Sequence, residues 1–243
     1  MTTKDEAGAE VRHPLVVLVS AGSGVPSSTD MLLQAIAQQV QARFGEVRIE
    51  TVSLRELAID IAKGLVSNYV SPELQQAFDQ VAAADALVVA TPIYKATFSG
   101  LFKSFFDLLD KDALYLTPVL LAATGQSTRH ALALDDGIRP LFAFMRALSV
   151  PTSIYATPGD WNNGAAALHA RIELAVAELG RLLSGAGGAG VTRGVDAEAA
   201  DAQGSASVDA PVRHADREQS VSGDDEIRLD TDLMRLATGG GAE

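Results

Sequence analysis

Three short apolar runs restrict this chain more than any other feature: residues 14–20 (PLVVLVS), 86–91 (ALVVAT) and 118–123 (PVLLAA). None alternates apolar with polar side chains, and each stops abruptly at small or turn-forming residues. A strand with one wet face would alternate. A strand with no polar side belongs in a sheet covered on both faces, the usual situation of a parallel sheet. Residues 47–52 and 150–156 read as two more strands, giving five. The segments between them carry helical spacing. Helices are expected at 27–44, from Ser71 to about residue 84, at 99–109, at 131–148 and at 164–183, with one or two helical turns at 54–61. Ser71 and Pro72 form a good helix start. Pro140 interrupts the 131–148 stretch and is expected to kink or divide it. Strands alternating with helices predict one α/β domain with right-handed crossovers and helices on both faces.

Composition bounds what such a domain does. The 243 residues carry a formal charge of −12, of which −7 falls after residue 184 and −5 before it. Acidic surfaces gain nothing from counterion release, so nucleic-acid binding is not expected, and anionic membranes would repel the chain. There are no cysteines, which removes thiolate chemistry and cysteine-ligated metals. Residues 1–13 read as a flexible, polar start with no signal-peptide pattern, and no run is long enough to cross a membrane. A cytoplasmic location is expected. Residues 14–184 form the expected domain. Residues 185–243 read as an acidic Ala/Gly-rich tail, largely disordered, with a short helix at 229–238.

In open parallel sheets ligands bind beyond the carboxyl ends of the strands. Three strand-end segments there are chemically distinctive. The first, residues 20–29, is SAGSGVPSST. Ser20, Gly22, Ser23, Ser27, Ser28 and Thr29 surround the expected start of a helix, where unpaired N–H groups favour an anion. It either holds a phosphate or merely caps the helix. It is neither a Walker A loop nor a dinucleotide-binding glycine fingerprint. The second, residues 91–100, runs from the strand into Pro92, Ile93, Tyr94 and Lys95. It either lines a flat ring or is ordered by packing alone. The third contains Thr124, Gly125, Gln126 and Ser127, whose amides and side chains either face a ligand rim of O and N–H groups or form a plain polar connection. One phosphate site, one stacking segment and one amide-rich edge on the same sheet margin describe the needs of FMN.

The segment Ala90-Thr91-Pro92-Ile93-Tyr94-Lys95-Ala96-Thr97-Phe98-Ser99-Gly100-Leu101-Phe102-Lys103 resembles the T-P-x-Y-K-x-x-x-S-G-x-x-K pattern of the flavodoxin-like NAD(P)H-dependent FMN reductases, including those that serve sulfonate monooxygenases. Ala123-Thr124-Gly125, followed by His130, Asp135 and Pro140, is similar to the family's next segment. The likeness covers about residues 15–183. It implies a doubly wound parallel sheet of order 2-1-3-4-5. It also implies that Ser27, Ser28 and Thr29 hold the FMN phosphate, that Pro92 to Lys95 run along the isoalloxazine, and that Thr124 to Ser127 bind its pyrimidine side. One departure stands out. Where the family has Gly-Ser-x-Arg, this chain has Ala21-Gly22-Ser23-Gly24, so a cation is missing and a loosely held FMN is expected.

The implied activity is hydride transfer from NADPH or NADH to FMN, with no catalytic triad and no metal, and with reduced flavin passed to a partner monooxygenase. A quinone or azo-dye reductase and a non-enzymatic electron carrier are the alternatives. The family implies a homodimer or homotetramer. Lys103 and Asp107, four apart on one helix, are expected to interact with each other or with a neighbouring subunit. His130 reads as a helix-start or interface residue rather than a proton donor. Trp161 either covers the flavin or packs against the rim.

Overall fold

In a computed structural model that describes residues 12–67, 69–162 and 164–188, the apolar runs become the centre of a parallel sheet. The strands are β1 (Leu15–Ser20), β2 (Arg48–Ser53), β3 (Ala86–Tyr94), β4 (Thr97–Phe98), β5 (Pro118–Thr124), β6 (Leu148–Ser149) and β7 (Ile154–Ala156). The helices are α1 (Ser28–Phe44), α2 (Ala58–Ser67), α3 (Pro72–Ala83), α4 (Gly100–Leu108), α5 (Arg139–Phe144) and α6 (Ala165–Gly188). The sheet runs β2-β1-β3-β5, with β6 and β7 both pairing parallel to β5 in the last position. Counted by position this is the expected order.

Period-two geometry explains why the apolar runs do not alternate with polar residues. Leu15, Val17, Val19, Leu87, Val89, Val119 and Leu121 point into one apolar layer, shared with α2, α3, α4 and α5. Val16, Leu18, Val88, Ala90, Leu120 and Ala122 point into the other, against α1 and α6. The first layer is rich in phenylalanine. Phe102 lies 4.9 Å from Phe106 and 6.2 Å from Phe142, ring centre to ring centre. Trp161 packs partly buried against the second layer.

Four expectations are corrected. The fifth strand, expected at 150–156, is broken in two because Pro151 has no N–H for the ladder. Side chains replace the lost bonds. The Thr152 amide and hydroxyl donate to Glu178 at 2.8 and 2.9 Å, while Arg139 donates to the carbonyls of Val150 and Pro151 at 2.8 and 3.1 Å. Glu178→Ala strips both acceptors from Thr152 and is expected to lower stability by about 1–2 kcal/mol, measured by chemical denaturation.

The helical stretch expected at 131–148, kinked or divided at Pro140, is instead a 3-10 turn (Thr128–His130), a π-helical turn (Leu134–Ile138) and then α5, so the division comes before Pro140. Pro140 sits in the first turn of α5, where its missing N–H costs nothing. The wide turn before it bonds Arg139 N–H to the Leu134 carbonyl. The one or two helical turns expected at 54–61 are the opening of a longer unit, with α2 continuing to Ser67. The final helix likewise runs to Gly188 rather than ending at Leu183. Apart from these last helical residues, the expected tail lies outside the described residues, as does nearly all of the N-terminal segment. Among the described residues no helix is long and apolar enough to cross a membrane.

Candidate active site

The second segment is not the loop expected after Pro92. Strand β3 continues to Tyr94 and folds back through β4, pairing Ile93 with Phe98 and Tyr94 with Thr97. The two residues between the strands, Lys95 and Ala96, have φ of 50° and 68°. Positive φ at both central positions is the requirement of the tight hairpin turn whose twist matches its strands. Neither residue is glycine, and left-handed backbone costs an L-residue of order 1–2 kcal/mol. Such strain persists only where surrounding contacts enforce it. Here Thr91 and Ser99 close the base of the hairpin. The Ser99 amide donates to Thr91 Oγ1 at 3.1 Å, and Ser99 Oγ caps α4 through the Phe102 amide at 3.3 Å. The Thr and Ser of the sequence pattern are therefore each other's partners.

The sheet register brings the other two segments alongside. Ser20 lies opposite Ala90, and Pro92 opposite Thr124. Direct bonds complete the arrangement. Ser23 Oγ and Tyr94 Oη are 2.7 Å apart, joining the first segment to the hairpin. Thr29 Oγ1 and Thr124 Oγ1 are 2.9 Å apart and buried, joining the first segment to the third. All fourteen residues singled out in the sequence thus lie on three segments that meet at one edge. Their exposures differ. Ser20, Ser27, Thr29 and Thr124 are buried, whereas Tyr94 is 51% exposed and Lys95 and Gln126 are also open.

Donors remain free at this edge. Ser27 caps α1 by accepting from the Asp30 amide at 3.1 Å, and its carbonyl takes the Met31 amide. Among the described residues the amides of Ser28 and Thr29 have no protein acceptor, and neither do those of Gln126 and Ser127. Two glycines permit the close approach. A Cβ on Gly22 would lie 2.2 Å from Ser27 Oγ, and one on Gly125 would lie 2.0 Å from Tyr155 Oη. This donor set fits a phosphate at the start of α1 and an acceptor-bearing ring edge at residues 125–127.

Three contributors escaped the sequence reading. Tyr155, on β7, donates from its hydroxyl to the Ser127 carbonyl at 2.8 Å, and burial pushes its phenol above the ordinary 10.0. It stays a donor at neutral pH. Only its place near the end of the last strand hinted at this. Arg55, in the turn after β2, donates from Nη1 to the Gly24 carbonyl at 2.8 Å. Nothing in the sequence pattern pairs these two residues. Asp30 accepts from the buried Ser20 hydroxyl. Its carboxylate suits the helix dipole but opposes an incoming phosphate. Asp30→Asn, which keeps an acceptor for Ser20, is expected to tighten FMN about threefold at low salt, less at high salt, as read by flavin fluorescence.

Lys103 and Asp107 form the expected ion pair on α4. His130 ends the Thr128–His130 turn at the edge of the third segment.

Comparison with known proteins agrees with this geometry. A sequence model of the family described as NADPH-dependent FMN reductase matches residues 14–162. The chain is 40% identical over 173 residues to an FMN reductase (NADPH) of Pseudomonas aeruginosa, a span covering 70% of this chain and 92% of that one. It is 42% identical over 163 residues to an NADH-dependent FMN reductase, SfnE, of Pseudomonas putida, covering 66% and 87%. The crystal structure of an oxidoreductase from Corynebacterium diphtheriae superposes with a TM-score of 0.68 at 38% identity, covering 71% of this chain and 98% of that one. The pattern around Pro92–Lys95, the sheet order and the extent of these matches lead to one conclusion: the chain belongs to the NADPH-dependent FMN reductase family.

Proposed function

We propose that this protein transfers hydride from reduced nicotinamide nucleotide to FMN and releases the reduced flavin to a partner monooxygenase. The observation that carries the reading is the bonding of three strand-end segments into one edge, through Ser23–Tyr94 and Thr29–Thr124, with unpaired amides on either side. When bound, FMN supplies the hydride-accepting chemistry.

The chain's own residues then bind and orient. The amides of Ser28 and Thr29, with the hydroxyls of Ser27 and Ser28, hold the phosphate at the positive end of α1. Pro92, Ile93, Tyr94 and Lys95, held in a strained hairpin, form a rigid wall for the ring. The amides of Gln126 and Ser127 bind the pyrimidine edge, with Thr124 and Gly125 setting their position. Ser20 and Gly22 shape the turn that leads to the phosphate. No side chain has to gain or lose a proton in the transfer itself, so orientation is what the protein contributes to rate. Openness at Tyr94 and Lys95 leaves a face for the nicotinamide. A carboxylate beside the phosphate favours flavin that exchanges rather than flavin that stays.

The test is NADPH and NADH oxidation with FMN, FAD, riboflavin or a quinone as acceptor, together with flavin fluorescence quenching. Oxidation that accelerates with free FMN and yields reduced FMN in solution is expected. Oxidation that depends on a quinone and ignores free FMN would overturn the reading in favour of a quinone reductase.

A further inference from the structure

We propose that Arg55 is the phosphate-facing cation of this site, replacing from the turn after β2 the arginine that residues 21–24 lack, and that it recognises a phosphate monoester. This rests on the flavin-binding reading above. FMN and NADPH both carry such a group, whereas riboflavin and NADH do not.

The backbone holds Arg55 in place. The Leu54 amide donates to the Ser20 carbonyl at 2.9 Å, and the Leu54 side chain is fully buried, so the turn after β2 is tied to the end of β1. From there the Arg55 guanidinium reaches the Gly24 carbonyl, on the rim of the segment that leads to the free amides of Ser28 and Thr29. A guanidinium has five N–H donors, and this bond uses one. Arg12, Arg48 and Arg139 are each engaged by an acidic side chain, but among the described residues Arg55 has no carboxylate partner. Its charge is available.

Residue 24 is a poor place for the cation itself. A Cβ there would come within 3.1 Å of the Pro26 carbonyl oxygen, so a side chain would press against the segment's own backbone. A cation brought in from the turn after β2 avoids that contact. It is also needed. A phosphate monoester carries close to two negative charges near neutral pH, and the start of α1 already carries Asp30. Asp30 and Arg55 thus act in opposition on the same anion, and their balance sets affinity.

The test uses the full chain with Arg55→Gln and Arg55→Lys. FMN and riboflavin are titrated by fluorescence quenching, KM is measured for NADPH and NADH, and thermal unfolding without flavin confirms the fold. Arg55→Gln is expected to weaken FMN about tenfold and leave riboflavin unchanged, the usual loss for a charge-assisted bond to phosphate, with Arg55→Lys recovering part. If NADPH weakens relative to NADH while FMN holds, the proposal stands with the nicotinamide nucleotide as the source of the phosphate. Equal losses for FMN and riboflavin, or no loss for either flavin or nucleotide, would reduce Arg55 to a brace for Gly24 and overturn it. If Arg55→Gln does not fold, Arg55→Ala repeats the comparison. Wild-type protein that quenches neither flavin would instead overturn the flavin-binding reading beneath it.

Discussion

Gly125→Ala is expected to raise the FMN dissociation constant at least about tenfold and to lower stability by roughly 1–3 kcal/mol, the range for overpacking a tight site. The added methyl would lie 2.0 Å from Tyr155 Oη and 3.0 Å from its ring carbon Cζ. Tyr155 has little freedom to withdraw. It is 5% exposed, its backbone is registered against Ala123, and its hydroxyl is bonded to the Ser127 carbonyl. Residues 124–127 must therefore move away from β7, carrying the free amides of Gln126 and Ser127 with them. Fluorescence titration and thermal unfolding measure the two effects. Adding Tyr155→Phe to the Gly125→Ala protein removes the oxygen that is struck and should restore part of the affinity. Wild-type affinity in the single variant would show that this segment does not bind the ring edge.

The largest loss of stability is expected from Phe102→Ala, at about 3–5 kcal/mol. Phe102 is fully buried on α4 and touches three other rings, Phe98 at 5.9 Å among them. At about 2–4 °C per kcal/mol for a domain of this size, the midpoint of thermal unfolding should fall by roughly 10 °C. The effect reaches the site because Phe98 lies in β4 and pairs with Ile93. Loss of the ring beneath it loosens the hairpin that carries Tyr94 and Lys95, so the KM for FMN should rise in protein that remains folded. Phe144→Ala is the control. That side chain is 77% exposed, and its removal should change stability by less than about 0.5 kcal/mol.

The central strands were legible because burial on both faces leaves short β-branched apolar runs that stop at turn residues. Caps were legible for a similar reason. Ser27 and Ser71 each bond the amide that their position at a helix start requires. The stretch from 128 to 156 was not. Its turns and broken strand depend on Arg139 and Glu178 reaching backbone groups 11 to 26 residues away. A local pattern has no access to such partners. The hairpin turn at Lys95-Ala96 was invisible for another reason: neither residue favours left-handed backbone, and only the Thr91–Ser99 clasp and the pairing of β3 with β4 hold it there.

By itself the sequence determined the class of fold, the family, and the three segments of the proposed flavin site, because apolar runs, turn residues and one dense motif are local properties of a chain. Only the tertiary structure decided how those segments join and what charge they meet. Ser23 finds Tyr94, Thr29 finds Thr124, Tyr155 supports Ser127, and Arg55 comes to Gly24 from the turn after β2. Each is a bond between residues 28 to 95 positions apart. Such bonds exist because the parallel sheet sets distant strand ends side by side, and their geometry is a property of that juxtaposition rather than of any segment in it.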